Sequence, residues 1–203
     1  MKNVIKNSKK GILMVTLFAT LLSFAKDASF YTVKDEAKRT ALTLKNVKEG
    51  DLLSIKDDNG VTLYKESIQI SGVYTKGFDL TSLPDGSYLF ELEKDLEFST
   101  IPFTVKSSEV VFNKEKETRF FKPFIRVEED MVFVSQLALT EAPLEIKIYF
   151  TDNNYSSDYE LMHTENITNT KKIERVFRLS GLTKGSYKVV CSSQGKEFIK
   201  IVD

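Results

Sequence analysis

An eleven-residue motif that occurs twice constrains this chain more than any other feature. Phe78-Asp-Leu-Thr-Ser-Leu-Pro-Asp-Gly-Ser-Tyr88 returns 99 residues later as Phe177-Arg-Leu-Ser-Gly-Leu-Thr-Lys-Gly-Ser-Tyr187. Phe, both Leu, Gly, Ser and Tyr keep their register while the polar residues between them vary. Self-similarity at a fixed period marks repeated copies of one structural unit. The chain therefore reads as two tandem copies of one domain.

The unit is built of strands. Leu144, Ile146, Ile148 and Phe150 alternate with Glu145, Lys147 and Tyr149, the period-two pattern of a half-buried strand. Leu42 and Leu44 alternate likewise and align with Leu137 and Leu139, while Leu53 and Ile55 align with Ile148 and Phe150. No long window beyond the N-terminal segment carries a helical stripe. Asp57-Asp-Asn-Gly60 separates two apolar runs, and Asn-Gly predicts a type I′ hairpin there. Short strands between frequent turns predict an all-β fold of two antiparallel sandwiches.

The first 25 residues read as a signal peptide. Lys2, Lys6, Lys9 and Lys10 precede an apolar stretch at Gly11–Phe24, and Ser23-Phe-Ala25 offers small residues for cleavage. That stretch has 14 residues, short of the roughly 20 that span a bilayer. The expectation is an exported chain with no membrane span once the leader is removed. Residues 26–107 and 108–203 are then the two domains. Four of the 29 basic residues lie in the leader, leaving 25 against 29 acidic ones, a net charge near −4. Such a balance has no footprint for a polyanion, so nucleic acid is not an expected partner.

Each copy of Leu-x-x-Leu-x-x-Gly-x-Tyr resembles the tyrosine corner of immunoglobulin-like and fibronectin-type sandwiches. The resemblance implies that Gly86 and Gly185 permit a sharp turn which Tyr88 and Tyr187 close through their hydroxyls. Counting by twos from Tyr187 places Val189 and Cys191 inward, so Cys191 reads as a buried hydrophobe at the position of Leu92. It is the only cysteine, so no intrachain disulfide forms.

Catalytic constellations are scarce. His163 is the only histidine, which leaves neither three or four His/Cys ligands for zinc nor a second base for a triad. There is no phosphate-binding loop or dinucleotide fingerprint. The reading is a non-enzyme without cofactor or metal. Glu91, Glu93, Glu128, Glu129 and Asp130 read as solvated faces and turns. Asp152, Asn154, Tyr155, Asp158 and Tyr159 form a polar, tyrosine-bearing loop with the composition of a contact surface. The loop has the alternating oxygens of a calcium site but lacks its central Gly and final acid. Phe98, Phe103, Phe112, Phe120, Phe121 and Phe124 put six of the 15 Phe near the domain junction. They either join the two domains or fill their separate cores.

The stretch Phe78–Leu92 also resembles the late-strand signature of sorting domains carried by type IX secretion cargo, in which D-L-x-x-L-x-x-G-x-Y precedes a turn and a last strand. Ile55–Tyr64 is similar to that family's earlier hairpin, and Leu179–Tyr187 with Gly195–Asp203 repeats the pattern. The chain departs from the family in its tandem copies, its missing Asn-Pro openings and its acidic final residue. The resemblance implies an Ig-like, secretion-tail-like fold, with a protein or envelope partner, or the secretion machinery, as what it meets.

Overall fold

The computed structural model describes residues 29–36, 39–152, 158–179 and 185–203. The expected signal peptide lies outside them. Nine strands form the first unit: β1 Tyr31–Glu36, β2 Arg39–Val47, β3 Leu52–Asp57, β4 Thr62–Ser67, β5 Gly72–Phe78, β6 Gly86–Glu93, β7 Glu97–Lys106, β8 Glu109–Phe112 and β9 Thr118–Phe121. Seven form the second: β10 Phe124–Glu128, β11 Met131–Leu137, β12 Leu144–Thr151, β13 Glu160–Ile167, β14 Lys172–Arg178, β15 Ser186–Ser193 and β16 Lys196–Val202.

In the first unit a sheet β1-β2-β5 faces a six-stranded sheet β4-β3-β6-β7-β8, with β9 also paired to β7. In the second, β10-β11-β14 faces β13-β12-β15-β16. Every pairing is antiparallel. Each pair of sheets closes on one core, the first around Leu42, Leu53, Phe90 and Phe103, the second around Val134, Ile146, Val189 and Cys191. Burial of these alternating apolar positions drives the packing, at about 25 cal/mol per Å² of apolar surface removed from water. The fold is all-β, as expected.

A shift of 99 residues superposes more than the motif. Glu66 pairs with Lys76 at 2.6 Å, and Glu165 with Arg175 at 2.7 Å. The Tyr64 ring meets Phe78 at 5.4 Å, and His163 meets Phe177 at 5.2 Å. The single histidine thus stands where the first unit has a tyrosine, packed against a phenylalanine.

Two alignments made from the alternation differ in the fold. Leu42 lies opposite Lys76 and Val134 opposite Arg175, so Val134 is the counterpart of Leu42 and Gln136 that of Leu44. Leu137 and Leu139 face out, 44% and 50% exposed. Similarly Leu53 opposes Leu92 and Ile146 opposes Cys191, so Leu53 matches Ile146 and Ile55 matches Ile148. A run such as Met131-Val-Phe-Val134 is apolar at both parities, so period two alone does not choose its register.

The hairpin at Asp57–Gly60 also differs from a type I′ turn. Only Gly60 has positive φ there, 79°, and its N–H donates to the Asp57 carbonyl at 3.1 Å. The Asp57 carboxylate accepts from the N–H groups of Asn59 and Val61 at 3.0 and 2.8 Å. This is an Asx-stabilised turn ending in a left-handed glycine, and the ladder shifts register between Ile55 and Lys56.

The first unit reaches beyond residue 107. β7 is ten residues long and takes two neighbours on one edge, β9 along Glu97–Thr100 and β8 along Phe103–Lys106. The charged run at 113–117 is a single 3-10 turn, Lys114–Lys116, connecting those two neighbours. Backbone pairing carries the first unit to Phe121, and the segment 108–121, expected in the second domain, belongs to its sheet.

Cys191 is fully buried opposite Ile146, and burial pushes its thiol up to about 12. Folded protein is expected to resist a thiol-reactive dye and to label fully only in denaturant. Rapid labelling without denaturant would show that β15 runs in another register.

Candidate functional site at the junction of the two units

Each corner residue has a distinct place. The Tyr88 hydroxyl donates to the Pro84 carbonyl at 2.8 Å, and its ring stacks on Phe103 at 5.5 Å. A Cβ on Gly86 would lie 3.3 Å from that hydroxyl, so the glycine lets the ring fold over the turn. Tyr88→Phe is expected to lower stability by about 1–2 kcal/mol through the lost hydrogen bond. An unchanged urea midpoint would contradict this. In the second unit Tyr187 is buried with its ring 4.9 Å from Phe150. The turn residues 180–184 lie outside the described part of the chain.

The polar loop is only partly described. Asn154 and Tyr155 fall outside the described residues, whereas Asp152 and Asp158 are exposed. Tyr159 is half-buried. Its hydroxyl shares a 3.0 Å hydrogen bond with Ser186, and Lys188 lies over its ring at 4.6 Å and over Tyr149 at 4.8 Å. These contacts hold Tyr159 against the sheet.

The residues that converge most are elsewhere, on the outer face of the first unit's large sheet. Phe98 and Phe120 oppose each other on β7 and β9 with rings 6.1 Å apart. Phe198 of β16 meets both, at 6.4 and 6.1 Å. Two ammonium groups reach the Phe98 ring, Lys196 at 4.0 Å and Lys122 at 4.6 Å. Below them Glu91 binds Lys56 of β3 at 2.8 Å and Lys196 of β16 at 3.1 Å. Glu93 binds Lys122 at 3.0 Å. Gln136 donates to the Phe121 carbonyl at 2.9 Å, fastening β11 to the end of β9. The Phe cluster thus does both things foreseen for it. Phe98 and Phe120 join the units, Phe103 and Phe112 fill the first core, and Phe124 stays 54% exposed.

Glu91 read as a solvated position and is 9% exposed. Burial alone would push its carboxyl up, but hydrogen bonds from Lys56 and Lys196 outweigh that and hold it below the ordinary value of 4.5. Its parity on β6 is outward, so only the second unit's arrival encloses it. A folded-state value below the unfolded one stabilises above the unfolded value and is lost as pH falls through the folded one. At neutral pH Glu91→Gln is expected to cost roughly 1–3 kcal/mol, less than a fully enclosed pair because Lys56 and Lys196 keep 24% and 28% exposure. Thermal melts should show the gap between wild type and variant closing as pH drops through and below 4.5. A gap that holds constant down to pH 3 would show that the charge plays no part.

Two clefts flank this contact. One of about 420 Å³ is lined by Lys56, Lys65, Glu91, Glu93, Lys122 and Lys196 among others. The other, about 560 Å³, lies between Phe30–Val33, Glu117, Arg119 and Leu139. There the Tyr31 hydroxyl donates to Glu117, and burial followed by that carboxylate raises its pKa. Among the described residues no three His, Cys, Asp or Glu side chains group as metal ligands, and no helix is long and apolar enough to cross a membrane.

No family model matches the chain, and no curated protein matches it in sequence. Among solved structures it is similar to a chain described as "Biofilm associated protein - BSP domain", at 12% identity and a TM-score of 0.24. The match covers 85% of this chain and 28% of that one, so this chain spans little more than a quarter of its length. A likeness this loose carries no functional argument.

Proposed function

We propose that this chain is an exported, non-catalytic pair of β-sandwiches that acts as a binding or structural component of the cell envelope or the secreted fraction. The observation that carries the reading is the use made of the most enclosed polar cluster. Glu91 is met by Lys56 from within the first unit and by Lys196 from the second, so its charge is taken up by a contact that joins the two units. Such a joint presents the outer surfaces of both sandwiches in one orientation, which suits a contact or spacer role.

The test is a screen of the purified chain against glycan, peptide and ester substrates, beside Glu91→Gln and the exposed-site variant Asp58→Asn. Hydrolysis that disappears only in Glu91→Gln would overturn the reading. Mass spectrometry of the protein from its own cells adds the location, with a chain beginning at Lys26 expected in the exported fraction.

Use of the second unit as a transport signal removed after export is the competing reading. The junction weighs against removal, because it would expose Phe98 and leave Glu91 without Lys196. An exported chain ending before Asp203 would favour that alternative.

A further inference from the structure

The cleft of about 420 Å³ beside the junction holds a charge that the joint does not use. Its floor is the outer face of the first unit's large sheet, and β16 of the second unit stands along one side. Four lysines and three glutamates line it, an excess of one positive charge. Lys122 answers Glu93, while Lys56 and Lys196 share Glu91. Glu197 is exposed and points the other way along β16 from Lys196 and Phe198. Lys65 of β4 is exposed and has no hydrogen-bond or ion-pair partner among the described residues. It lies directly opposite Ser54 of β3, and Thr62 lies opposite Lys56. Ser54 and Lys56 are two apart on one strand and share its outer face, so Lys65 and Lys56 flank one spot on the floor. The Lys56 ammonium donates to Glu91 at 2.8 Å and, with three donors, keeps two others.

We propose that this cleft binds a compact organic monocarboxylate, its carboxylate held between Lys65 and Lys56 and its body laid against Leu52 and Phe198. This deepens the binding reading given above and rests on it. An excess of a single positive charge suits a monoanion. A dianion such as a phosphate monoester would bring a second negative charge towards Glu91 and Glu93, which already hold the other ammonium groups. Leu52 and Phe198 line the same cleft and are half-buried, so both offer apolar surface to a ligand. The volume of about 420 Å³ exceeds what a bare carboxylate fills and lies in the range of small-molecule sites. A sugar acid and the C-terminal end of a short peptide both supply this chemistry.

Titration of the purified chain, followed by the amide NMR signals of β3 and β4 at neutral pH and fixed ionic strength, tests the site. The probes are glucuronate and acetyl-dialanine, each beside its neutral counterpart, glucose and the dialanine amide. At least one carboxylate is expected to give saturable shifts that its neutral counterpart does not, and which one does so tells the sugar acid from the peptide end. Lys65→Gln should weaken that binding about tenfold or more, the loss expected for one charge-assisted hydrogen bond. Lys45→Gln, on β2 of the other sheet, should leave it unchanged. Lys65 is exposed and unpaired, so its variant should keep the wild-type unfolding midpoint. No saturable shift with either carboxylate, equal binding of a neutral counterpart, or full affinity in Lys65→Gln would each overturn the proposal. Those results would leave the non-catalytic reading standing, whereas a probe that binds and is converted would overturn that reading and keep the site.

Discussion

Replacing Gly185 with alanine should lower the stability of the second unit by roughly 3 kcal/mol or more, at the upper end for overpacking a closed site. A Cβ at this position would sit 2.0 Å from the Thr151 carbonyl oxygen and 2.9 Å from both the Asp152 Cα and the Phe150 ring. Two of those three atoms are backbone, so relief requires β12 to move away from β15 at the Thr151↔Ser186 pairing. The equivalent Gly86→Ala would meet only the tip of Tyr88, at 3.3 Å, and should cost much less. The same motif glycine therefore has two different reasons. In the first unit it clears a side chain, and in the second it clears a backbone. Urea unfolding of both variants checks this, and equal losses at the two sites would contradict it.

Phe98→Ala should be the most disruptive change at the junction, costing about 3–5 kcal/mol as expected for an enclosed aromatic. Phe98 is 6% exposed, and its ring is shared by Phe120, Phe198, Lys122 and Lys196. Removing it deletes the apolar wall against which the second unit rests and takes the ring from beneath two ammonium groups. The variant should also change the form of unfolding. Wild type is expected to melt in one transition, whereas Phe98→Ala should resolve into two, one for each core. Calorimetry reads this directly. A single transition with an unchanged midpoint would show that the two sandwiches are independent of this contact.

Much of the fold was legible because its signal is local. Alternation along β12, the Gly-x-Tyr corner and the repeated motif each depend on residues near one another in the chain, and strands have a strict side-chain period. Cys191 followed from Tyr187 by counting alone, and the structure buries it. Registers set by distant partners were less legible. Val134 and Gln136, not Leu137 and Leu139, take the places of Leu42 and Leu44, because only pairing with β14 decides which parity of a doubly apolar run faces the core.

The junction was the least legible part. Phe98 and Phe120 occupy outward positions on their strands, and large apolar residues there are the one local sign that something covers them. Nothing in the chain around Glu91 distinguishes it from Glu93 or from any solvated acid. Its enclosure depends on Lys196, 105 residues away, arriving over β6 and β7. By itself, the sequence determined that this protein is two copies of one β-sandwich, because periodicity and turn chemistry are properties of neighbouring residues. Only the tertiary structure decided that the two are fastened through Phe98, Glu91 and Lys196, because desolvating a charge or a ring is done by whatever packs on it from elsewhere in the chain.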